Sequence, residues 1–381
     1  MGIEYDRSEP EFNTNIKVIG VGGAGGNAVN TMIEKGIDGV EFIVANTDIK
    51  DLRKSSAKIK IQIGEKLTKG CGTGANPEKG KAAALESKEQ LTDSIKGADM
   101  LIISAGFGGG TGTGAAPVIA EIAREMNILS LAIITKPLQF ENNQRMQNYE
   151  QGLTEIRQHI DSFIVIPNDK IIDIDDGSSV FNVFKKADGV IYDAAKAMSD
   201  VINKSGYIQV DFADVQTVMA NNGCALVGTS ICEGENKAEQ CARQAISNPL
   251  MNEIKLSGCS ALLVNITGGE DTTFKDFQTI MSIFKEETGS NTKTIAGLVR
   301  DDAMKGSVSV TVFASGIVDE ATKKMGIPPL VHIKNKDNKT HRAGELLNPQ
   351  WENTSISKIN STNNQLSSKE EIKVPSFMLK F

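Results

Sequence analysis

Positions 106–115 read Gly-Phe-Gly-Gly-Gly-Thr-Gly-Thr-Gly-Ala, and few folds have a use for such a stretch. The apolar run 100–105 leads into it and is long enough for a buried strand. Residues 117–126 follow, with apolar positions at 118, 119, 122 and 126, the spacing of one helical face. A strand thus feeds a glycine-dense turn that opens a helix. A helix N-terminus has unpaired N–H groups and the positive end of the dipole, so it can hold a phosphate. Glycines let the backbone approach the anion, and Thr111 and Thr113 add hydroxyl donors. No Asp or Glu occurs between Gly106 and Ala120 to compete for the site. The competing reading is a flexible glycine hinge. The interleaved threonines and the strand that enters directly count against it.

Two more loops of this kind precede it. Residues 16–21 read as a strand, followed by Gly22-Gly23-Ala24-Gly25-Gly26-Asn27 and a helix with apolar Ala28, Val29, Met32 and Ile33. Gly20, Gly22 and Gly25 satisfy G-x-G-x-x-G, and Asp48 follows at a distance suited to a ribose contact. Alone, this pattern fits either a dinucleotide site or close helix–strand packing. Residues 42–45 form a second strand ending at Asn46-Thr47-Asp48, and 59–63 a third. The loop 70–76 is again glycine-rich, with Pro77 suited to the first position of a helix that runs to about 95. Beyond the central loop come a strand at 129–135, a helix at 140–159 and a strand at 162–167. This alternation predicts a doubly wound parallel sheet. Three glycine-rich loops gathered at one sheet edge suit a ligand with several phosphates. No G-x-x-x-x-G-K-[ST] motif occurs, which excludes the common P-loop.

The second half changes character. Residues 181–203 predict one helix about 34 Å long, ended by Lys204-Ser205-Gly206. Then comes Gln209-Val210-Asp211-Phe212-Ala213-Asp214, with a helix at 215–220. Asp211 and Asp214, three apart, share a face. They read either as helix caps or as a pair that polarises a water or binds a cation. Strands at 224–229, 261–266, 292–298 and 308–314, with helices at 237–247 and 274–287, predict a second, smaller α/β domain. From about 319 to 371 the chain is rich in Asn, Lys, Ser, Thr and Glu, and reads as a disordered linker. Residues 372–381 become apolar again, as a docking peptide on a polar tether would.

Composition narrows the classes. The length, 381 residues, suggests two domains. A net charge of -7 argues against nucleic acid as the main partner. No apolar run is long enough for a membrane span, and the polar start at 1–15 is not a signal peptide. Five cysteines form no C-x-x-C pair, which suits reduced thiols in the cytosol. His159, His332 and His341 are scattered, so no metal cluster is expected.

Taken together, the segments Gly108–Gly114, 21–27, 46–48, Pro167-Asn168-Asp169-Lys170 and Val210-Asp211-Phe212-Ala213-Asp214 resemble the FtsZ family. This family comprises the bacterial cell-division GTPases of the tubulin superfamily. The resemblance covers roughly 15–318, with the tail separately, and its second glycine loop is foreign to dehydrogenases. It implies a tubulin-like α/β fold: a flexible arm at 1–14, a GTP-binding domain at 15–180, a central helix at 181–204, a catalytic-loop domain at 205–318, a linker at 319–371 and a docking peptide at 372–381. GTP or GDP would lie with its phosphates on Gly108, Gly109, Gly110, Thr111, Gly112, Thr113 and Gly114 and on Gly22, Gly23, Ala24, Gly25 and Gly26, helped by Ala75. Glu141 and Arg145 would contact ribose and phosphate. Phe184 would stack on the base, and Asp188, assisted by Asn27, would accept from guanine. Mg²⁺ would be bound mainly through the phosphates, with no metal site of the protein's own. Asp211, Asp214 and Gln209 of one subunit would complete the active site of the next in a head-to-tail filament. The implied setting is the cytoplasm, at the mid-cell division ring. The implied partners are further copies of the chain and, through 374–381, membrane-tethering and regulatory division proteins, without nucleic acid or direct membrane insertion.

The chain departs from the family in three places. Gln209 stands where Asn is usual, which predicts a modest change in turnover. Leu379 occupies a position usually held by Arg, and the linker is short. Two other readings remain open at this point: a polymerising nucleotide-binding scaffold with little hydrolysis, and an NAD(P)-dependent oxidoreductase read from Gly20–Gly25.

Overall fold

The computed structural model describes residues 14–173, 180–204, 206–220, 223–247, 256–257, 259–289 and 292–317, without the side chains of 172–173 and 180–183. The arm before residue 14, the linker and the docking peptide lie outside the described residues.

The first half reads β1 (Ile16–Val21), α1 (Gly22–Lys35), β2 (Val40–Asn46), α2 (Ile49–Lys54), β3 (Ile59–Gln62), α3 (Glu65–Thr68), α4 (Pro77–Glu86), α5 (Lys88–Ile95), β4 (Met100–Gly106), α6 (Thr111–Glu125), β5 (Leu129–Lys136), α7 (Asn143–Ile156), β6 (Ser162–Pro167) and α8 (Asn168–Asp173). The second half reads α9 (Val180–Asn203), α10 (Phe212–Met219), β7 (Gly223–Glu233), α11 (Lys237–Ile246), β8 (Ala261–Gly268), α12 (Phe274–Thr288), β9 (Lys293–Arg300) and β10 (Ser307–Ser315).

The described strands form one ten-stranded sheet in the order β3-β2-β1-β4-β5-β6-β7-β10-β8-β9. The first six strands follow the doubly wound order 3-2-1-4-5-6, all parallel. β1 and β4 are buried almost throughout because helices cover both faces. Such strands read as unbroken apolar runs, which is why they are legible in the sequence. β7 joins β6 in parallel over two residue pairs, Ser162↔Gly223 and Phe163↔Cys224, and pairs antiparallel with β10. The second α/β portion thus continues the first sheet. One apolar cluster runs from Ile16 and Val29 through Ile191 and Met198 of α9 to Leu263 and Phe313.

Several element boundaries differ from the sequence expectation. The helix after the central loop begins at Thr111, not at Pro117, so Thr111–Gly114 form its first turn and Pro117 lies inside it. The run 77–95 breaks at Ser87 into α4 and α5. The helix expected at 140–159 spans only Asn143–Ile156, with Asn142 as its cap. The helix expected at 215–220 starts at Phe212. The short α8 has no counterpart in the apolar periodicity.

Candidate functional site

At the C-terminal ends of the parallel strands lies a cleft of about 640 Å³. Ligands of open α/β sheets bind at this edge, where the strand order reverses between β1 and β4. Two helices aim their N-termini at it. α1 starts directly after β1, with Val21 as its N-cap, and α6 starts after Gly110. Neither cap residue donates or accepts through a side chain, and neither first turn contains an acid. By contrast, α2, α4 and α7 are capped by Asp48, Asn76 and Asn142. Two bare helix N-termini in one cleft form an anion site with its donors still open.

The glycines divide into two groups. Gly23, Ala24, Gly109, Gly110, Thr111 and Gly112 line the cleft, with Ala75 from the loop before α4. Gly22 and Gly26 line a smaller adjoining cavity of about 230 Å³. Gly22 has φ +73° and Gly108 φ +101°, conformations that disfavour a side chain. Gly25 and Gly114 serve packing. A Cβ on Gly25 would meet the carbonyl oxygen of Ser104 at 2.2 Å, and one on Gly114 would meet that of Pro77 at 2.0 Å. Thr113 is buried, and its hydroxyl accepts from the Gly108 N–H at 2.9 Å, shaping the loop from behind.

Polar side chains hold the loops together. The Thr111 hydroxyl lies 2.8 Å from that of Thr47 and 3.3 Å from that of Thr73. Asn148 of α7 is buried and donates to the carbonyls of Ala75 and Gly108, both at 3.2 Å. It thereby ties two glycine loops together. The sequence reading missed it because its position in a helix carries no motif.

The far wall carries the remaining expected contacts. Glu141 and Arg145 both line the cleft and form an ion pair with each other, and Glu141 also accepts from the Leu138 N–H at 3.0 Å. Asn27, Phe184 and Asp188 line it as well, and Phe184 is half-exposed there. Asp188 has neither a hydrogen bond nor an ion pair among the described residues, and burial pushes its carboxyl up to about 6. A desolvated carboxylate without a donor is a strong demand for one from a ligand. Asn168 also lines this wall, with its Oδ1 buried and unpartnered among the described residues. It belongs to the Pro167–Lys170 motif, yet the sequence alone did not single it out as a contact. Asp48 reaches the cleft too, but its Oδ1 already accepts from the Lys50 N–H at 2.8 Å.

The carboxylate loop stands elsewhere. Gln209, Asp211 and Asp214 are absent from the cleft lining. They follow α9, whose 24 residues span about 36 Å, while Phe184 and Asp188 lie near its start. Asp211 caps α10, and with Asp214 it forms a reciprocal capping box. Gln209 is exposed. No group of three or more His, Cys, Asp or Glu that could hold a metal converges among the described residues.

Residues 15–176 match the model of the Tubulin/FtsZ family GTPase domain, and 223–318 match that of the FtsZ family C-terminal domain. The chain is 46% identical over 314 residues to the cell division protein FtsZ of Buchnera aphidicola subsp. Schizaphis graminum, covering 82% of each chain. It is 44% identical over 336 residues to its counterpart from Buchnera aphidicola subsp. Acyrthosiphon pisum, covering 88% of this chain and 86% of that one. Among solved structures, an empty FtsZ dimer from M. jannaschii superposes with a TM-score of 0.74 at 37% identity, covering 80% of this chain and 88% of that one. CetZ2 from Haloferax volcanii, described as a GTPγS-bound protofilament, has a TM-score of 0.70 at 22% identity, over 82% of this chain and 96% of that one, and shares the fold.

Proposed function

The chain belongs to the tubulin/FtsZ family, and on that premise we propose that it is a GTP-hydrolysing cell-division protein that polymerises head to tail, the carboxylate loop of one subunit completing the active site of the next. One observation carries this reading: Asn27, Glu141, Arg145, Phe184 and Asp188 line the same cleft as the glycine loops, while Gln209, Asp211 and Asp214 stand outside it.

GTP would lie with its phosphates against the bare N-termini of α1 and α6. Glu141 and Arg145 would reach ribose and phosphate, and Phe184 would cover the base. Asp188 would accept from N1–H and N2–H₂ of guanine, with Asn27 and Asn168 beside it. Adenine lacks that donor pair and would leave the carboxylate unpaired, a strong basis for rejection. Asp211 and Asp214 of the next subunit would orient and polarise the attacking water, and Gln209 would place its amide in the same loop. Mg²⁺ on the phosphates would offset their negative charge.

A head-to-tail contact is heterologous and builds an open filament. Exposed apolar side chains occur at both surfaces that would meet: Phe140 beside Glu141, and Tyr207 and Phe274 flanking the carboxylate loop. The solved relative described as a dimer supports self-association. Such filaments would form the cytokinetic ring at mid-cell in the cytoplasm, with residues 374–381 docking membrane-tethering and regulatory division proteins. No described helix is long and apolar enough to cross a membrane.

GTP turnover per subunit, measured against protein concentration, tests this reading. It should rise steeply above a threshold; turnover independent of concentration would refute it. Gln209 motivates the second reading, a polymerising scaffold with little hydrolysis. Phosphate release from sedimentable polymer separates the two.

A further inference from the structure

Lys237 breaks two local rules. It is the first residue of α11, where the helix dipole disfavours a cation, and it is only 7% exposed. A buried ammonium needs a compensating anion. It finds Asp271, in the loop between β8 and α12: Nζ of Lys237 donates to Oδ2 of Asp271. The other carboxylate oxygen, Oδ1, accepts from the Gly306 N–H at 3.1 Å. The Lys237 hydrogen bond first, and this backbone donor second, hold the Asp271 carboxyl below its ordinary range. One carboxylate therefore joins three segments: the start of α11, the loop 269–273 and the turn that enters β10.

One of those segments, the loop 269–273, borders a second cavity, of about 340 Å³. Gly269, Thr272 and Phe274 line one side of it, and Tyr207 and Ile208 the other. Ile208 is bridged to Leu298 of β9, by N–H to carbonyl contacts of 3.3 and 2.9 Å in the two directions. The segment that leads straight to Gln209 and Asp211 thus shares a cavity with the loop that Lys237 fixes. Phe274 and Tyr207, 81% and 79% exposed, stand at its mouth. Neither Lys237 nor Asp271 lines the nucleotide cleft.

We infer that the Lys237–Asp271 pair is a positioning clamp for the surface beside the Asp211–Asp214 loop that receives the nucleotide-bearing end of a second copy of this chain, an inference that rests on the head-to-tail reading above. The pair touches no substrate. It acts by fixing where the loop 269–273 and Phe274 stand relative to 206–209.

The test uses the full chain with GTP and two substitutions. Lys237→Met keeps the length of the buried stem and leaves Asp271 on the surface with Gly306, so no buried charge is stranded. Asp271→Glu keeps the ion pair but lengthens the arm and displaces the loop. Each should bind a fluorescent GDP analogue as the parent does and melt at the parent's temperature. The threshold concentration for turnover and for sedimentable polymer should rise about threefold or more. An unchanged threshold overturns the clamp. So does a melting temperature that falls as the threshold rises, or failure of both variants to fold, since the pair would then serve only the fold. The parent chain run alongside separates the two levels: if it shows no threshold, the filament reading fails; if it shows one that the variants share, only the clamp fails.

Discussion

Asp211 and Asp214 cap each other. Asp211 Oδ1 accepts from the Asp214 N–H at 2.8 Å, and Asp214 Oδ2 accepts from the Asp211 N–H at 3.3 Å. Both carboxylates are thus held at the head of α10 before any partner arrives, and the helix-cap and catalytic readings describe the same geometry. Asp211→Asn separates them, because Asn caps a helix as well as Asp does but carries no charge. Stability should stay within about 0.5 kcal/mol of the parent, while turnover in assembled protein falls about 10²–10⁴-fold. Phosphate release at parental rates would leave Asp211 with capping alone.

Asp188 predicts a pH dependence of nucleotide binding. Burial raises its carboxyl to about 6, and guanine donors require the ionised form. Affinity for GDP should be level above pH 7 and fall about tenfold per unit below 6. Asp188→Asn should flatten that profile. In the nucleotide-free protein the sign reverses. A raised acid favours folding in its protonated form, so its contribution is full below about pH 4 and is lost as pH rises through 6. Titration of a fluorescent GDP analogue at pH 5 and 7 checks the first effect; equal affinities would remove Asp188 from base recognition.

Two glycines should answer differently to the same added methyl. Gly109 lines the cleft and has nothing within 4 Å of a built Cβ. Gly109→Ala should fold normally and bind nucleotide more weakly. Gly25→Ala would drive a Cβ to 2.2 Å from the Ser104 carbonyl and force α1 off the sheet. It should lose about 1–3 kcal/mol of stability. Denaturant melts paired with GDP titration distinguish the outcomes, and a Gly25→Ala protein of parental stability would contradict the packing role.

Phe140 and Phe274 are both about four-fifths exposed. Phe140→Asp or Phe274→Asp should leave GDP affinity unchanged and raise the assembly threshold at least about tenfold, the scale of one buried aromatic side chain. Sedimentation across a concentration series measures this. A parental threshold in both variants would exclude these side chains from the contact.

Much of the site is visible in sequence because its parts are local. A strand, a glycine turn and a helix start occupy about fifteen consecutive residues, and each loop carries its own signal. The spacing of Asp211 and Asp214 likewise announces a helix start. Element boundaries were less legible where propensity and context disagree. Thr111–Gly114 and Pro117 are poor helix formers, yet α6 runs through them because α4 packs its backbone against Gly114. Asn148 gave no sequence signal, and Asn168 only its membership of the 167–170 motif, since the place of each depends on which loops fold up against it.

Apolar runs, glycine turns and carboxylate spacing suffice by themselves to determine a doubly wound phosphate-binding half followed by a second α/β portion. Only the tertiary structure decided that β7 continues the first sheet through β6, that Gly25 and Gly114 serve packing while Gly109 lines the cleft, and that a 24-residue helix leads from the Asp188 wall of the cleft to the carboxylate loop beyond it. The division has a physical cause. Periodicity and turn chemistry act over a few neighbouring residues, whereas strand order, close backbone contacts and the separation of a cleft from its carboxylates depend on residues far apart in the chain.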